Sequence, residues 1–199
     1  MDSKILNKIK RNKDRTVFTP GDFLDLGSRI AVDQALHRLV KAGKLRRLAR
    51  GLYDVPRVDP EIGSLSPTIE AIVEALKGRD HIRMQASGGY AANLLGLSDQ
   101  VPVKVVFLTD GPSRRLQVGG LVIVMKRTTP KNMATAGRVS GLVIQALRHL
   151  GQRHVDGSII QRLRARLSAT DRQTLRRDAR FAPAWIAAIM KQVAASGEK

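Results

Sequence analysis

The chain has 199 residues, 43% of them apolar, and a formal net charge of +18. It holds no cysteine, which excludes disulfides, thiolate metal sites and cysteine nucleophiles. No window approaches the roughly 18 consecutive apolar residues of a membrane span, and the opening MDSKILNKIKRNKD lacks the apolar core of a secretory signal, so a cytoplasmic protein with no membrane partner is expected.

In chain order, the spacing of Ile5, Leu6 and Ile9 predicts a short amphipathic helix over 3–10, basic on its outer face. Residues 16–18 are β-prone. Thr19 then reads as an N-cap, with Pro20 at the first helical position and Asp22 three residues after the cap. That second helix is brief and ends near Gly27. Ser28 caps a third helix over 29–42, and Gly43 stands where a left-handed residue closes a helix. Residues 45–48 and 52–55 are strand candidates around an Ala49-Arg50-Gly51 turn, and Pro56 ends the second. Helix, strand, helix, turn, helix, hairpin is the order of a winged helix-turn-helix, expected over residues 1–58.

Residues 57–66, RVDPEIGSLS, read as a linker. A second domain over 66–199 is expected to be α+β, with a small, mainly antiparallel sheet followed by helices. Its helices are expected at 68–77, 90–95, 139–150, 158–167, 170–177 and 183–194. Its strands are expected at 81–85, 103–108, 116–118 and 121–125, the last two joined through Gly119-Gly120.

On the third helix Val32, Ala35, Leu36, Leu39 and Val40 form the buried stripe. The opposite side collects Ile30, Ala31, Gln34, His37, Arg38 and Lys41. Arg29 and Asp33 stand i, i+4 and are expected to pair. With Ser28 at the cap, this face suits the major groove: Arg38 for guanine, Gln34 for adenine, Ile30 for a thymine methyl. The hairpin adds Lys44, Arg46, Arg47 and Arg50 as phosphate contacts, Gly51 for the turn, and Tyr53 as a packed ring or a hydroxyl donor. Double-stranded DNA is the expected partner.

The charge is uneven. Residues 1–60 sum to +7, 61–125 to zero and 126–180 to +10. A second basic surface is expected from Arg162, Arg164, Arg166, Arg172, Arg176, Arg177 and Arg180, either as a solvated helical face or as a further polyanion contact. Trp185, Ile186, Ile189 and Met190 are expected in the core. Catalytic chemistry is not expected, and neither is a cofactor or a metal. His37, His81, His149 and His154 lack ligand spacing. Gly151 interrupts any helical Arg148–His154 pairing, Gly157-Ser158 has no following Asp-x-Asp, and Ser87-Gly88-Gly89 has no phosphate-loop lysine.

Two stretches carry a resemblance. The segment LVKAGKLRRLARGLYDVP places Leu45, Arg47, Gly51 and Tyr53 in an L-x-R-x-x-x-G-x-Y pattern. The segment SGGYAANLLGLSDQVPVKVVFLTDGPSRRLQVGGLVIVMKR follows at 87–127, with Ala91-Ala92, Leu95-Gly96-Leu97, Gln100-Val101-Pro102 and Thr109-Asp110-Gly111. Together, over residues 1–130, they resemble the AbiEi-type antitoxins of type IV toxin–antitoxin systems. The resemblance implies a protein that represses its own operon by binding inverted repeats in its promoter. It also implies a second domain that counters a nucleotidyltransferase-type toxin, directly or functionally. A palindromic site implies two copies on DNA. Two other readings stay open: a winged-helix regulator with a ligand-sensing or dimerising second domain, and a non-catalytic module that docks RNA or protein.

Overall fold

Ile5 and Ile9 lie one turn apart and are buried, and they seat the first helix, α1 (Asp2–Arg11). The computed structural model describes residues 1–12, 14–61, 63–100 and 102–195. Ile62, in the expected linker, and Val101, in the Gln100-Val101-Pro102 stretch, lie outside them. The fold is α+β, with small sheets and a helical C-terminal part.

Strand β1 (Val17–Phe18) follows α1. Residues Pro20–Leu26 form a 3-10 helix rather than an α-helix. The Asp22 carboxylate accepts from the Thr19 N–H at 2.6 Å and the Thr19 hydroxyl at 2.9 Å, and its other oxygen accepts from Arg15 Nη1 at 2.6 Å. Helix α2 (Arg29–Lys41) starts where Ser28 Oγ accepts the Ala31 N–H, and it ends before Gly43 at φ 66°. The Lys44 N–H reaches back to the Leu39 carbonyl at 2.9 Å, which aims the chain into β2 (Arg46–Ala49) and β3 (Leu52–Asp54). The three strands pair in the order β1-β3-β2. Ile5, Phe18, Phe23, Val32, Leu36, Leu39 and Leu45 fill one apolar core, with Tyr53 packed at its side.

The stretch 57–66 is not an open linker. Strands β4 (Arg57–Asp59) and β5 (Gly63–Leu65) pair antiparallel, Arg57 opposite Leu65. Helix α3 (Ile69–Asp80) then packs on β1. For that reason the first compact unit runs through Ile82 and takes in 117–119, and the division expected at 58–66 falls instead between Ile82 and Arg83. Composition marked a linker; the ladder and the packing of α3 override it.

The second unit comprises 83–116 and 120–199. It begins with β6 (Met84–Ser87), α4 (Gly88–Leu94) and β7 (Lys104–Thr109). The first strand starts three residues later than expected because His81 closes α3 in the left-handed region, at φ 52°. Strands β8 (Arg114–Val118) and β9 (Leu121–Arg127) complete a sheet of order β6-β7-β9-β8. In it β6 runs antiparallel to β7, and β7 runs parallel to β9. Helices α5 (Pro130–Met133), α6 (Val139–Leu150), α7 (Gly157–Arg166), α8 (Ala169–Asp178) and α9 (Ala184–Ala194) follow. Helix α6 lies close on β6: a Cβ at Gly141 would stand 2.4 Å from both Gln85 Oε1 and the Thr135 carbonyl. Ile186 and Met190 are fully buried, whereas Trp185 and Ile189 are only half-buried. Among the described residues no helix is long and apolar enough to cross a membrane.

Candidate nucleic-acid interface

Helix α2 buries Val32, Ala35, Leu36 and Leu39, and that choice alone turns Ile30, Gln34, His37, Arg38 and Lys41 to solvent. Ser28, Arg29, Lys44, Arg47 and Arg50 are exposed as well, and Gly51 and Tyr53 are half-buried. The expected residues are therefore on one short stretch of chain, but their charges are not equally available.

Three arginines are committed inside the unit. Arg29 Nε donates to Asp33 at 2.8 Å, the pair that the i, i+4 spacing foretold. Arg38 presents its fork to Asp2, Nη2 to Oδ1 at 2.6 Å and Nε to Oδ2 at 3.1 Å. This hydrogen bonding holds the Asp2 carboxyl below the ordinary carboxylate range and raises Arg38. Arg46 is the most occupied. It donates to both oxygens of the buried Asp54, at 3.0 and 2.5 Å, to Ser64 Oγ at 2.8 Å and to the Leu65 carbonyl at 2.7 Å. The expectation that Arg46 grips a phosphate is corrected accordingly: its fork ties the hairpin to β5. Arg46 and Asp54 stand directly opposite in the β2–β3 register, so their pairing follows from the turn.

Lys41, Lys44, Arg47 and Arg50 carry no such commitment: each is exposed and makes no side-chain ion pair among the described residues. Gly51 supplies the turn, at φ 71°, where a side chain would be strained. A residue that the sequence did not mark holds the turn in place. Arg79, at the end of α3, donates to the Arg50 carbonyl at 3.0 Å while its other nitrogens bind Asp80 at 2.9 Å. Tyr53 packs its ring beside the core, as the structural alternative for it required. Helix α1 adds exposed Lys4, Lys10 and Arg11, whereas Lys8 is paired with Asp25 at 2.6 Å.

The second basic block divides in the same way. Arg162 donates to the Gly96 carbonyl, and Arg166 to the Leu94 carbonyl at 3.3 Å. Both close the C-terminal end of α4, where unpaired carbonyls carry partial negative charge. Arg164 does the same for α9 through the Gln192 carbonyl at 2.5 Å. Arg177 reaches the buried Asp178 at 3.3 Å, and Arg180 lies over Phe181 with its guanidinium carbon 5.0 Å from the ring centre. Arg172, Arg176 and Arg180 make no side-chain ion pair or hydrogen bond among the described residues. A continuous phosphate-binding surface from Arg162, Arg166, Arg172, Arg176, Arg177 and Arg180 is thus not what the side chains form.

The family of unknown function DUF6088 matches residues 4–175. The chain belongs to that family. A crystal structure of the RV2827C protein from Mycobacterium tuberculosis is similar to it at 16% sequence identity and a TM-score of 0.50, over 96% of this chain and 80% of that one. At that identity the likeness concerns fold. No curated protein matches the chain significantly. In this DUF6088 member the candidate interface is a helix face bearing amide, imidazole and aliphatic groups, beside a hairpin bearing uncommitted cations.

Proposed function

We propose that residues 1–56 act as a winged helix-turn-helix that binds double-stranded DNA. On this reading the chain represses its own promoter as the antitoxin of a type IV, AbiE-like pair, and its second unit counters a nucleotidyltransferase-type toxin. One observation carries the DNA half: Lys44, Arg47 and Arg50 remain without an acidic partner on a hairpin whose base is locked by Arg46–Asp54 and whose tip is locked by Arg79. Preorganised cations of this kind bind phosphates without a large ordering cost. Helix α2 would lie in the major groove with its first turns on base edges. The antitoxin half is supported by the resemblance over residues 1–130.

The test is a salt-titrated binding assay on the chain's own upstream DNA against a scrambled duplex. A preference of about a hundredfold or more, lost in Gln34→Ala, supports sequence reading. Equal binding to both duplexes removes autoregulation. Co-expression with an adjacent nucleotidyltransferase gene tests the second half, and growth arrest that the chain fails to relieve would refute it.

A further inference from the structure

We propose that the exposed face of α2 reads A·T base pairs, with Ile30 seated on a thymine methyl and Gln34 on an adenine. The inference rests on the DNA-binding reading above and deepens it.

Guanine is read best by a guanidinium fork that donates to O6 and N7 together. Both arginines on this helix spend part of their fork inside the chain. Arg38 presents its fork to Asp2, and Arg29 Nε is held by Asp33. Each carboxylate also sets a negative charge beside the guanidinium, which opposes the approach of the electronegative guanine edge. The Ser28 oxygen accepts the Ala31 N–H, which leaves the cap one O–H donor, too few for the paired O6 and N7 contact that selects guanine.

What remains on the first turns is aliphatic and amide. Ile30 is 71% exposed, although its place in the first turn gives it no core to fill. A branched aliphatic group there has a natural counterpart in the thymine methyl, the one apolar feature of the major groove. Gln34 is exposed one turn further along. Its amide offers the donor and acceptor that match adenine N7 and N6. Side chains at i and i+4 stand about 5–6 Å apart. That spans one to two base steps at about 3.4 Å each. The two contacts thus fall on neighbouring or next-neighbouring A·T pairs. His37 and Lys41 are the remaining exposed polar groups that face this strip, and both are candidate guanine donors that the test must separate.

The test uses the full chain. Duplexes are selected from a library with a randomised core, and the winner is then remade with deoxyuridine for each thymine and 7-deazaadenine for each adenine. The expected core is A·T. Removing one thymine methyl should weaken wild type by about fourfold, the value of one buried methyl, and should not weaken Ile30→Ala further. One 7-deazaadenine should weaken wild type but not Gln34→Ala. Asp2→Ala, which frees Arg38, should draw guanine into the selected core. A G·C core that depends on Arg38, His37 or Lys41 overturns the inference while DNA binding stands. So does a methyl effect that persists in Ile30→Ala. Failure to bind any duplex overturns both the inference and the reading on which it rests.

Discussion

Replacing Arg47 and Arg50 together by alanine should flatten the salt dependence of DNA binding by close to two units of log K per log salt. Each phosphate neutralised contributes about 0.9 to that slope. Both side chains are exposed, and neither has an acidic partner among the described residues. Between 50 and 200 mM salt, two such contacts account for roughly a tenfold change in affinity. The control is Arg46→Ala/Asp54→Ala. It deletes both charges of the pair, so neither is left buried alone. Because Arg46 spends its donors on Asp54, Ser64 and Leu65, this variant should keep the wild-type slope even where its stability falls. Fluorescence anisotropy on one duplex at four salt concentrations reads both slopes. The partition of committed and uncommitted cations is refuted if the control loses a full unit, or if Arg47→Ala/Arg50→Ala keeps the wild-type slope.

Other consequences are local. Asp178 is fully buried and accepts from Arg138 Nη1 at 2.8 and 2.9 Å and from Ser140 Oγ at 2.6 Å; its loss in Asp178→Ala should cost about 3–5 kcal/mol in urea unfolding, and a cost under ~1 kcal/mol would contradict it. Arg162→Ala/Arg166→Ala should lower thermal stability by about 1 kcal/mol through the uncapped end of α4, given that both arginines are exposed, and should leave the DNA salt slope alone; a shallower slope would put them on phosphates instead. Gly141→Ala should destabilise by about 1–3 kcal/mol, since one of the two atoms 2.4 Å from the new Cβ is a backbone carbonyl that no rotamer change can move; an unchanged denaturation midpoint would argue against the close approach of α6. The Asp2 carboxyl lies below its ordinary range because of Arg38, so the Asp2–Arg38 contact contributes above the unfolded carboxylate pKa and is lost only as pH falls through the lowered folded value. A carbon-13 titration should show Asp2 ionised from pH 8 to pH 5 and its midpoint rising in Arg38→Ala; a wild-type midpoint at or above the free value of about 3.9 would refute the contact.

What the sequence determined by itself is chemistry settled within a few residues. The Ser28 cap, the closure at Gly43, the Gly51 turn, the Arg29–Asp33 pair and the solvent face of α2 were legible because a cap, a turn or an i, i+4 contact joins near neighbours in the chain. The α+β class was legible for the same reason, since apolar periodicity is local. The 3-10 geometry of Pro20–Leu26 and the ladder at 57–65 were not, because propensity for helix or linker yields to packing and pairing. Tertiary structure alone decided which cations are free. Arg38 meets Asp2 across 36 positions, Arg162 meets Gly96 across 66, and Arg166 meets Leu94 across 72. A charge count gives all of them equal weight. Coulomb attraction and hydrogen bonding act over a few ångströms, so only the folded chain separates the arginines that hold the protein together from those left to face a partner.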